Sequence, residues 1–125
     1  MKSEDAMELT TLFRPVGVRE LQSVRQSGFT VFPPRLPGQP IFYPVLEEEY
    51  ANQIARDWNA KDARSGNAGY VLRFLVRTDF LSRIEVHQVG SRLHREYWVP
   101  AEDLAAFNQN IVGKIEIVRE FRGGA

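Results

Sequence analysis

The sequence predicts a single α+β domain built from two short, mostly antiparallel sheets with about three flanking helices. Two observations lead to this class. Segments with strand-like alternation and segments with helical spacing are interspersed without a strict strand–helix–strand repeat. Between residues 70 and 99, three strand candidates follow one another with no predicted helix between them, which favours antiparallel pairing over a doubly wound parallel sheet.

Length and composition place the boundaries of this domain. A chain of 125 residues has room for one hydrophobic core, and 43% hydrophobic with 26% charged residues is ordinary for a folded globular protein. Residues 10–121 form the predicted domain. Residues 1–9 are expected to be a disordered or frayed N-terminus, and residues 122–125 a tail.

The predicted domain begins with a strand and a helix. Residues 10–14 have a β-like pattern that Pro15 and Gly17 are expected to end. Residues 18–27 have apolar side chains at helical spacing, and Gly28 is expected to end this helix in the left-handed conformation.

A proline-rich loop follows the first helix. Residues 30–32 are a very short strand candidate, and residues 33–40 hold four of the seven prolines. No helix or central strand tolerates that density, so an extended surface loop is predicted. Proline spacing of this kind also suits recognition by aromatic grooves, but a rigid lid or connector is the favoured interpretation.

A strand candidate and a second helix complete the first half. Residues 41–45 are a β-like apolar run, and residues 47–49 are three glutamates that suit the first turn of a helix. One apolar stripe follows at helical spacing and is assigned to the core: Tyr50, Ala51, Ile54, Ala55 and Trp58.

The second half contains mostly strand candidates. Residues 70–77 alternate clearly, residues 84–89 alternate less strongly, and residues 94–99 alternate up to Pro100. A third helix is predicted at residues 101–110. Gly113 is expected to break the chain before a last strand at residues 114–121.

Charge and residue counts exclude several function classes. Sixteen Lys plus Arg balance sixteen Asp plus Glu, so the chain lacks the field that a nucleic-acid or membrane-surface binder uses. The absence of Cys excludes disulfides, thiol catalysis and Cys-ligated zinc, and two His residues exclude a His-rich metal site. No apolar run approaches the roughly 18 residues of a membrane span, and residues 1–10 show no signal pattern. A cytoplasmic protein with no metal is expected.

Two places in the pattern carry candidate chemistry. Arg14 shares a face with Leu12 at the end of the first strand, where its planar fork would suit a phosphate or a carboxylate. The alternative is a salt bridge to one of the chain's own carboxylates. His94, Glu96 and Trp98 share one face of a later strand, where a carboxylate beside aromatic rings would bind a sugar hydroxyl and stabilise positive charge. The alternative is an edge strand whose Glu96 pairs with an arginine.

Three motifs, in this order, resemble those of small bacterial proteins labelled "ADP-ribosylation/crystallin J1". They are Leu12-Phe13-Arg14-Pro15-Val16-Gly17, Ile41-Phe42-Tyr43-Pro44-Val45-Leu46, and Glu96-Tyr97-Trp98-Val99-Pro100-Ala101-Glu102-Asp103-Leu104. The resemblance covers residues 9–121. The chain is also similar to the ADP-ribosyltransferase fold, a split pair of small β-sheets around an NAD cleft.

The resemblance to the ADP-ribosyltransferase fold implies roles for individual residues. Arg14 matches the first-strand cation of that family and would hold the pyrophosphate of NAD. Glu96 matches the late-strand glutamate that binds a ribose hydroxyl, and His94 stands two residues before it, where it would position the acceptor. No Ser-Thr-Ser motif occurs on the second strand, so Tyr43 or Phe42 would border the nicotinamide.

Two functions are therefore expected, from different classes. The first is an ADP-ribosyltransferase-like enzyme, or an NAD-binding relative, with NAD as its substrate. The second is a non-catalytic module of a bacterial system that uses the same scaffold to hold a protein partner. An enzyme requires Arg14, Tyr43 and Glu96 to converge on a concave pocket, whereas a module requires an exposed apolar patch.

Overall fold

The computed structural model describes residues 8–90 and 94–123, and within these ranges the chain forms six strands and four α-helices. In chain order they are β1 (Leu9–Val16), α1 (Val18–Gln26), β2 (Ile41–Phe42), α2 (Glu48–Asp57), β3 (Ala68–Arg77), α3 (Thr78–Leu81), β4 (Glu85–Gln88), β5 (Arg95–Pro100), α4 (Leu104–Gln109) and β6 (Ile111–Arg122). Short 3-10 turns occupy Asn59–Lys61, Ala63–Ser65 and Ala101–Asp103. The predicted α+β class is confirmed.

The strands form two three-stranded sheets in which all paired neighbours are antiparallel, as the sequence predicts. The strand orders are β1-β3-β6 and β2-β5-β4. Val45 joins the sheets, because it exchanges backbone hydrogen bonds of 2.8 and 2.9 Å with Phe13 of β1 and also bridges Glu96 of β5. Neighbouring strands lie roughly 5 Å apart, so β1 and β5 approach to about 10 Å at this point.

The β1-β3-β6 sheet is covered on both faces along the first half of β3. One face belongs to the main core, where Phe32 and Phe74 pack edge to face with ring centroids 4.9 Å apart. The other face is covered by α2, whose Ala51 and Ala55 pack against Val71 of β3. Residues 68–72 of β3 are therefore all buried, whereas Arg73, Leu75 and Arg77 are exposed and alternate with buried residues, as the sequence predicts.

Pro15 lies inside β1 and does not end it. Phe13 directs its backbone N–H and C=O toward Val45 and away from β3. Residue 15 has the same orientation by the two-residue period of a strand, so its missing N–H removes no bond to β3.

Four further expectations about elements are wrong. Gly113 lies within β6 at φ +80°, beside a register irregularity opposite Arg73 and Leu75, so a bulge absorbs it. The short helix α3 separates β3 from β4, and residues 30–32 form no strand. Trp58 is 74% exposed and not in the core, because it follows the last residue of α2.

The outermost strands of the described residues extend one residue beyond the predicted domain, residues 10–121, at each end. β1 begins at Leu9 and β6 ends at Arg122. Residues 1–7 and 124–125, which belong to the predicted frayed N-terminus and tail, lie outside the described residues. Among the helices that are described, none is long and apolar enough to cross a membrane.

Candidate functional site

Two clefts meet at the end of β1. The aromatic cleft has a volume of about 390 Å³ and is lined by Arg14, Pro15, Tyr43, Val45, Ile54, Asn59, Val89, Glu96 and Trp98. The arginine cleft has a volume of about 340 Å³, and its charged lining residues are Arg14, Arg19, Glu20, Arg35 and Arg64. Arg14, Pro15 and Asn59 line both clefts. Three residues singled out in the sequence, Arg14, Tyr43 and Glu96, therefore line one concave surface.

Arg14 is an interior cation held by a neighbouring helix. Its Nε and Nη2 donate to the two carboxylate oxygens of Glu20 on α1, at 2.6 and 2.9 Å, and its Nη1 donates to the Tyr43 carbonyl at 3.4 Å. The guanidinium carbon also lies 4.4 Å from the centre of the Phe42 ring. The side chain is only 11% exposed, so the salt bridge to a carboxylate of the same chain describes Arg14 correctly.

Phe42 takes a different place from the one expected. Its ring is 1% exposed and packs against Phe32 and Phe107, so it supports Arg14 from below and does not reach a ligand. Tyr43, the next residue, points to the opposite face of the strand and is 36% exposed. Tyr43 is therefore the aromatic residue of this pair that a ligand in the aromatic cleft would contact.

Glu96 is held by two neutral donors. The Tyr50 hydroxyl donates to Oε1 at 3.0 Å, and the Trp98 indole N–H donates to Oε2 at 2.9 Å. No arginine or lysine among residues 8–90 and 94–123 forms an ion pair with this carboxylate, and the adjacent Arg95 pairs with Glu47 instead. The alternative interpretation, in which Glu96 pairs with an arginine, is therefore not found within these ranges.

The pKa of Tyr50 reflects this arrangement. Burial of the hydroxyl, the hydrogen bond to Glu96, and the negative charges of Glu96 and Glu47 together raise the pKa of Tyr50 to about 12. Tyr50 consequently keeps its proton over the whole physiological range. It acts as a permanent donor that fixes one oxygen of the Glu96 carboxylate.

Aromatic rings surround Glu96. The His87 ring stacks on Trp98 with centroids 3.7 Å apart, and the Tyr43 ring meets Trp98 edge to face at 5.7 Å. His94 stacks on Tyr50 at 4.4 Å. The predicted shared face of His94, Glu96 and Trp98 is confirmed, because Tyr50 contacts the first two and the Trp98 indole bonds to Glu96.

His94 does not line either cleft. Its ring packs flat against Tyr50, so it lies behind the donor that holds Glu96. A direct contact of His94 with a ligand in the aromatic cleft is not part of this geometry. Its influence on the site would pass through Tyr50.

Asn59 occupies the junction of the two clefts. Its Oδ1 is buried and has no hydrogen-bond partner among the described residues, while its Nδ2 is 3.5 Å from the Ser65 hydroxyl. An unsatisfied buried acceptor costs free energy, which a donor at this junction would recover. No sequence motif singles out Asn59, which lies between α2 and the polar turn region at residues 61–69 and begins a 3-10 turn.

The sequence also missed the residues that complete the site. Tyr50 was assigned to the core by its helical spacing, and it does pack against the cluster under α2 while its hydroxyl reaches Glu96. No motif surrounds Arg19 and Glu20, and the proline-rich motif that contains Arg35 predicts a lid or connector and no anion contact. Their association follows from the packing of α1 and the proline-rich loop against the end of β1.

The arrangement suits binding of a polar ring system to a fixed carboxylate. Glu96 has both oxygens oriented and retains lone pairs that a sugar hydroxyl would reach, and the rings of Tyr43 and Trp98 provide flat apolar contacts beside it. A carboxylate such as Glu96, which forms no ion pair within residues 8–90 and 94–123, also stabilises positive charge that develops nearby. In the described residues, no group of three or more His, Asp or Glu side chains is placed to hold a metal ion.

Comparison of the chain with protein-family models, with curated proteins and with solved structures gives no match. The likeness to ADP-ribosyltransferases therefore stays a prediction from the three motifs, and the function is argued from the two clefts.

Proposed function

We propose that this protein binds NAD, or an ADP-ribosyl group, in the aromatic cleft as an ADP-ribosyltransferase-like enzyme. The bond between nicotinamide and ribose breaks there, nicotinamide leaves, and the ribose carbon forms a new bond to water or to another nucleophilic acceptor. The observation that carries the proposal is the convergence of Arg14, Tyr43 and Glu96 on one cleft. Within that cleft, Glu96 is a carboxylate oriented by Tyr50 and Trp98, and it forms no ion pair with a cation of residues 8–90 or 94–123.

Glu96 has the central role in this reaction. As the glycosidic bond lengthens, positive charge develops on the ribose ring, and a fixed carboxylate stabilises that charge more than it stabilises the neutral-ring ground state. Glu96 would also accept a hydrogen bond from a ribose hydroxyl. Because Tyr50 and Trp98 hold it already, little reorganisation is needed when the charge appears.

The rings of Tyr43 and Trp98 would receive the flat part of the ligand. Their edge-to-face contact leaves the partly exposed Tyr43 ring as one wall of the cleft. A nicotinamide ring carries a positive charge before cleavage and is attracted to an aromatic face. Loss of that charge on cleavage weakens the contact and favours release of nicotinamide.

The direct experiment is incubation with NAD and quantification of nicotinamide release by chromatography. We expect release by the unmodified protein and loss of at least about 100-fold in Glu96→Gln, since removal of one electrostatic stabiliser has an effect of that order. Glu102→Gln is the matched control, because Glu102 is an exposed carboxylate outside both clefts and should leave the rate unchanged. Equal release by the unmodified protein and Glu96→Gln would contradict the proposal.

A second candidate is a non-catalytic module that binds a protein partner. It is favoured by two exposed apolar side chains beside the clefts: Leu36, 62% exposed, lines the arginine cleft, and Trp58, 74% exposed, precedes Asn59. Exposed aromatic and apolar residues of this kind are typical anchors of interfaces. On this candidate the unmodified protein should release no nicotinamide, and Trp58→Ala should abolish partner binding while Glu96→Gln leaves partner binding intact.

A further inference from the structure

We propose that the arginine cleft is a separate binding site for the phosphate or diphosphate group of a small anionic ligand, and that Arg19 and Arg35 are its principal contacts. The resemblance to ADP-ribosyltransferases implies Arg14 as the contact for the phosphate groups. In the structure, several arginines lie together in this cleft, because α1, the proline-rich loop and the turn at Ala63–Ser65 pack around the end of β1. These arginines are far apart in the chain, so no single motif predicts the cluster.

The charges of the cleft are unbalanced. Four arginines and one carboxylate line it. Glu20 is fully engaged by Arg14 through two hydrogen bonds, and Arg64 has Asp62 as its partner at 3.6 Å. Among residues 8–90 and 94–123, Arg19 and Arg35 form no ion pair with any carboxylate. The cleft therefore has at least two positive charges for which the described part of the chain supplies no counterion.

Arg35 is oriented before any ligand arrives. Its Nε donates to the Ile41 carbonyl at 3.0 Å, which leaves the two terminal nitrogens of its fork for another acceptor. Its guanidinium lies 5.8 Å from the centre of the Phe42 ring, and Arg14 lies 4.4 Å from the same centre. Burial, and after it the charge of Arg14, lower the pKa of Arg35, while Glu20 and Tyr43 raise it. A bound anion beside the guanidinium would stabilise its charge.

The first turn of α1 contributes to the same cleft. Gly17 caps the helix without a side chain, so no side-chain acceptor at the cap satisfies the first-turn N–H groups. A Cβ at Gly17 would lie 2.6 Å from Cβ of Ser65, so only glycine allows the turn at Ala63–Ser65 to approach this closely. The backbone amides add partial positive charge to that of Arg19 and Arg35.

A phosphate ester fits this site better than other anions. A guanidinium fork matches two oxygens of a phosphate in a bidentate contact, and several forks around one concavity favour a group with several charged oxygens over a single carboxylate. The net charge of zero gives no long-range attraction for a nucleic acid, which points to a small molecule. Because Arg14, Pro15 and Asn59 also line the aromatic cleft, one ligand with a ring and a diphosphate would span both clefts; this extension alone rests on the proposed function.

Calorimetric titration with inorganic phosphate, pyrophosphate, ADP and adenosine tests the assignment. We expect pyrophosphate and ADP to bind, adenosine to bind at least about tenfold more weakly than ADP, and affinity to fall as salt screens the charges. Arg19→Gln and Arg35→Gln should each weaken pyrophosphate binding at least about tenfold. Arg25→Gln is the matched control, since Arg25 lies on the same helix but outside the cleft, and should bind as the unmodified protein does.

The variants separate a lost contact from a lost fold. Arg19 is exposed and has no side-chain partner in the described residues, so Arg19→Gln should keep the thermal midpoint of the unmodified protein even if Arg35→Gln loosens the proline-rich loop. Binding of pyrophosphate that depends on Arg19 supports the site. If inorganic phosphate binds as tightly as pyrophosphate, the site contacts a single phosphate group. If ADP binds more tightly than pyrophosphate, the ligand spans both clefts.

Three results would overturn the proposal: no binding of pyrophosphate or ADP, equal weakening by Arg25→Gln, or adenosine binding as tight as ADP binding. Failure of the proposed function is recognised separately. Pyrophosphate binding without nicotinamide release would leave the phosphate site in place and remove the enzyme, and nicotinamide release without pyrophosphate or ADP binding would do the opposite.

Discussion

Replacement of Glu96 by Gln removes a negative charge from the aromatic cleft while keeping the volume of the side chain. The Gln carbonyl accepts from the Trp98 indole N–H, which is a donor only, and the Gln amide donates to the oxygen of the Tyr50 hydroxyl. The contact between residues 50 and 96 is therefore kept with donor and acceptor exchanged, while the proton of the half-buried Tyr50 hydroxyl loses Glu96 as its acceptor.

The expected change in stability is small because two contributions of similar size oppose each other. Hydrogen bonds to a charged group are worth about 1 kcal/mol more than neutral ones, so the loss of charge weakens two bonds by about 2 kcal/mol together. Removal of a partly buried carboxylate that has no cation in the described residues recovers about 1 to 3 kcal/mol of desolvation. The free energy of unfolding should change by less than about 1 kcal/mol, which corresponds to roughly 4 °C in the thermal midpoint for a chain of this size.

Nicotinamide release and the titration of Tyr50 should respond strongly. Release should fall at least about 100-fold, and the pKa of Tyr50 should drop from about 12 toward its ordinary value of 10.0, though not all the way, because burial is the largest cause of the shift. Calorimetric unfolding, the NAD assay and tyrosinate absorbance measure the three effects on one sample. A fall in the thermal midpoint of more than about 10 °C would show that Glu96 is a structural anchor, and the catalytic role would have to be abandoned.

Three further substitutions follow from the same contacts. Tyr50→Phe should flatten the loss of stability between pH 10 and 12. The pKa of Tyr50 is about 12 in the folded protein against 10.0 in the unfolded chain, so the unfolded chain releases this proton first, and the stability present below pH 10 is lost as the pH rises through 12. Denaturation at several pH values would detect the effect, and an unchanged slope of stability against pH would contradict it. Gly17→Ala should destabilise the protein by about 1 to 3 kcal/mol, because the new methyl group collides with Ser65. The double variant that also carries Ser65→Gly should recover part of this loss. Additive losses of the two substitutions in urea unfolding would disprove the contact. Glu20→Gln should lower stability by about 2 to 3 kcal/mol, because the nearly buried Arg14 loses its partner carboxylate. The same substitution should tighten pyrophosphate binding in calorimetry, because it frees the charge of Arg14. Weaker pyrophosphate binding would argue against a phosphate site in the arginine cleft.

Much of the fold could be predicted because its patterns are local. The alternation of residues 70–77, the apolar spacing of residues 18–27 and the glycine after that helix each report on contacts a few residues apart, and all three elements are present. The failures have the same origin. The position of Trp58 at helical spacing cannot show that α2 ends one residue earlier, and the sequence does not show that a bulge accommodates Gly113 within β6.

The sequence by itself determined the α+β class, the antiparallel sheets, and the order in which Arg14, Tyr43 and Glu96 occur. Only the tertiary structure decided that Val45 would bridge β1 and β5 and so bring these residues to one cleft. It also decided that Glu20 would neutralise Arg14, leaving the binding of an anion to other cations. These outcomes depend on pairing and packing between segments far apart in the chain, and no period or motif within a short window records which distant side chain will meet which.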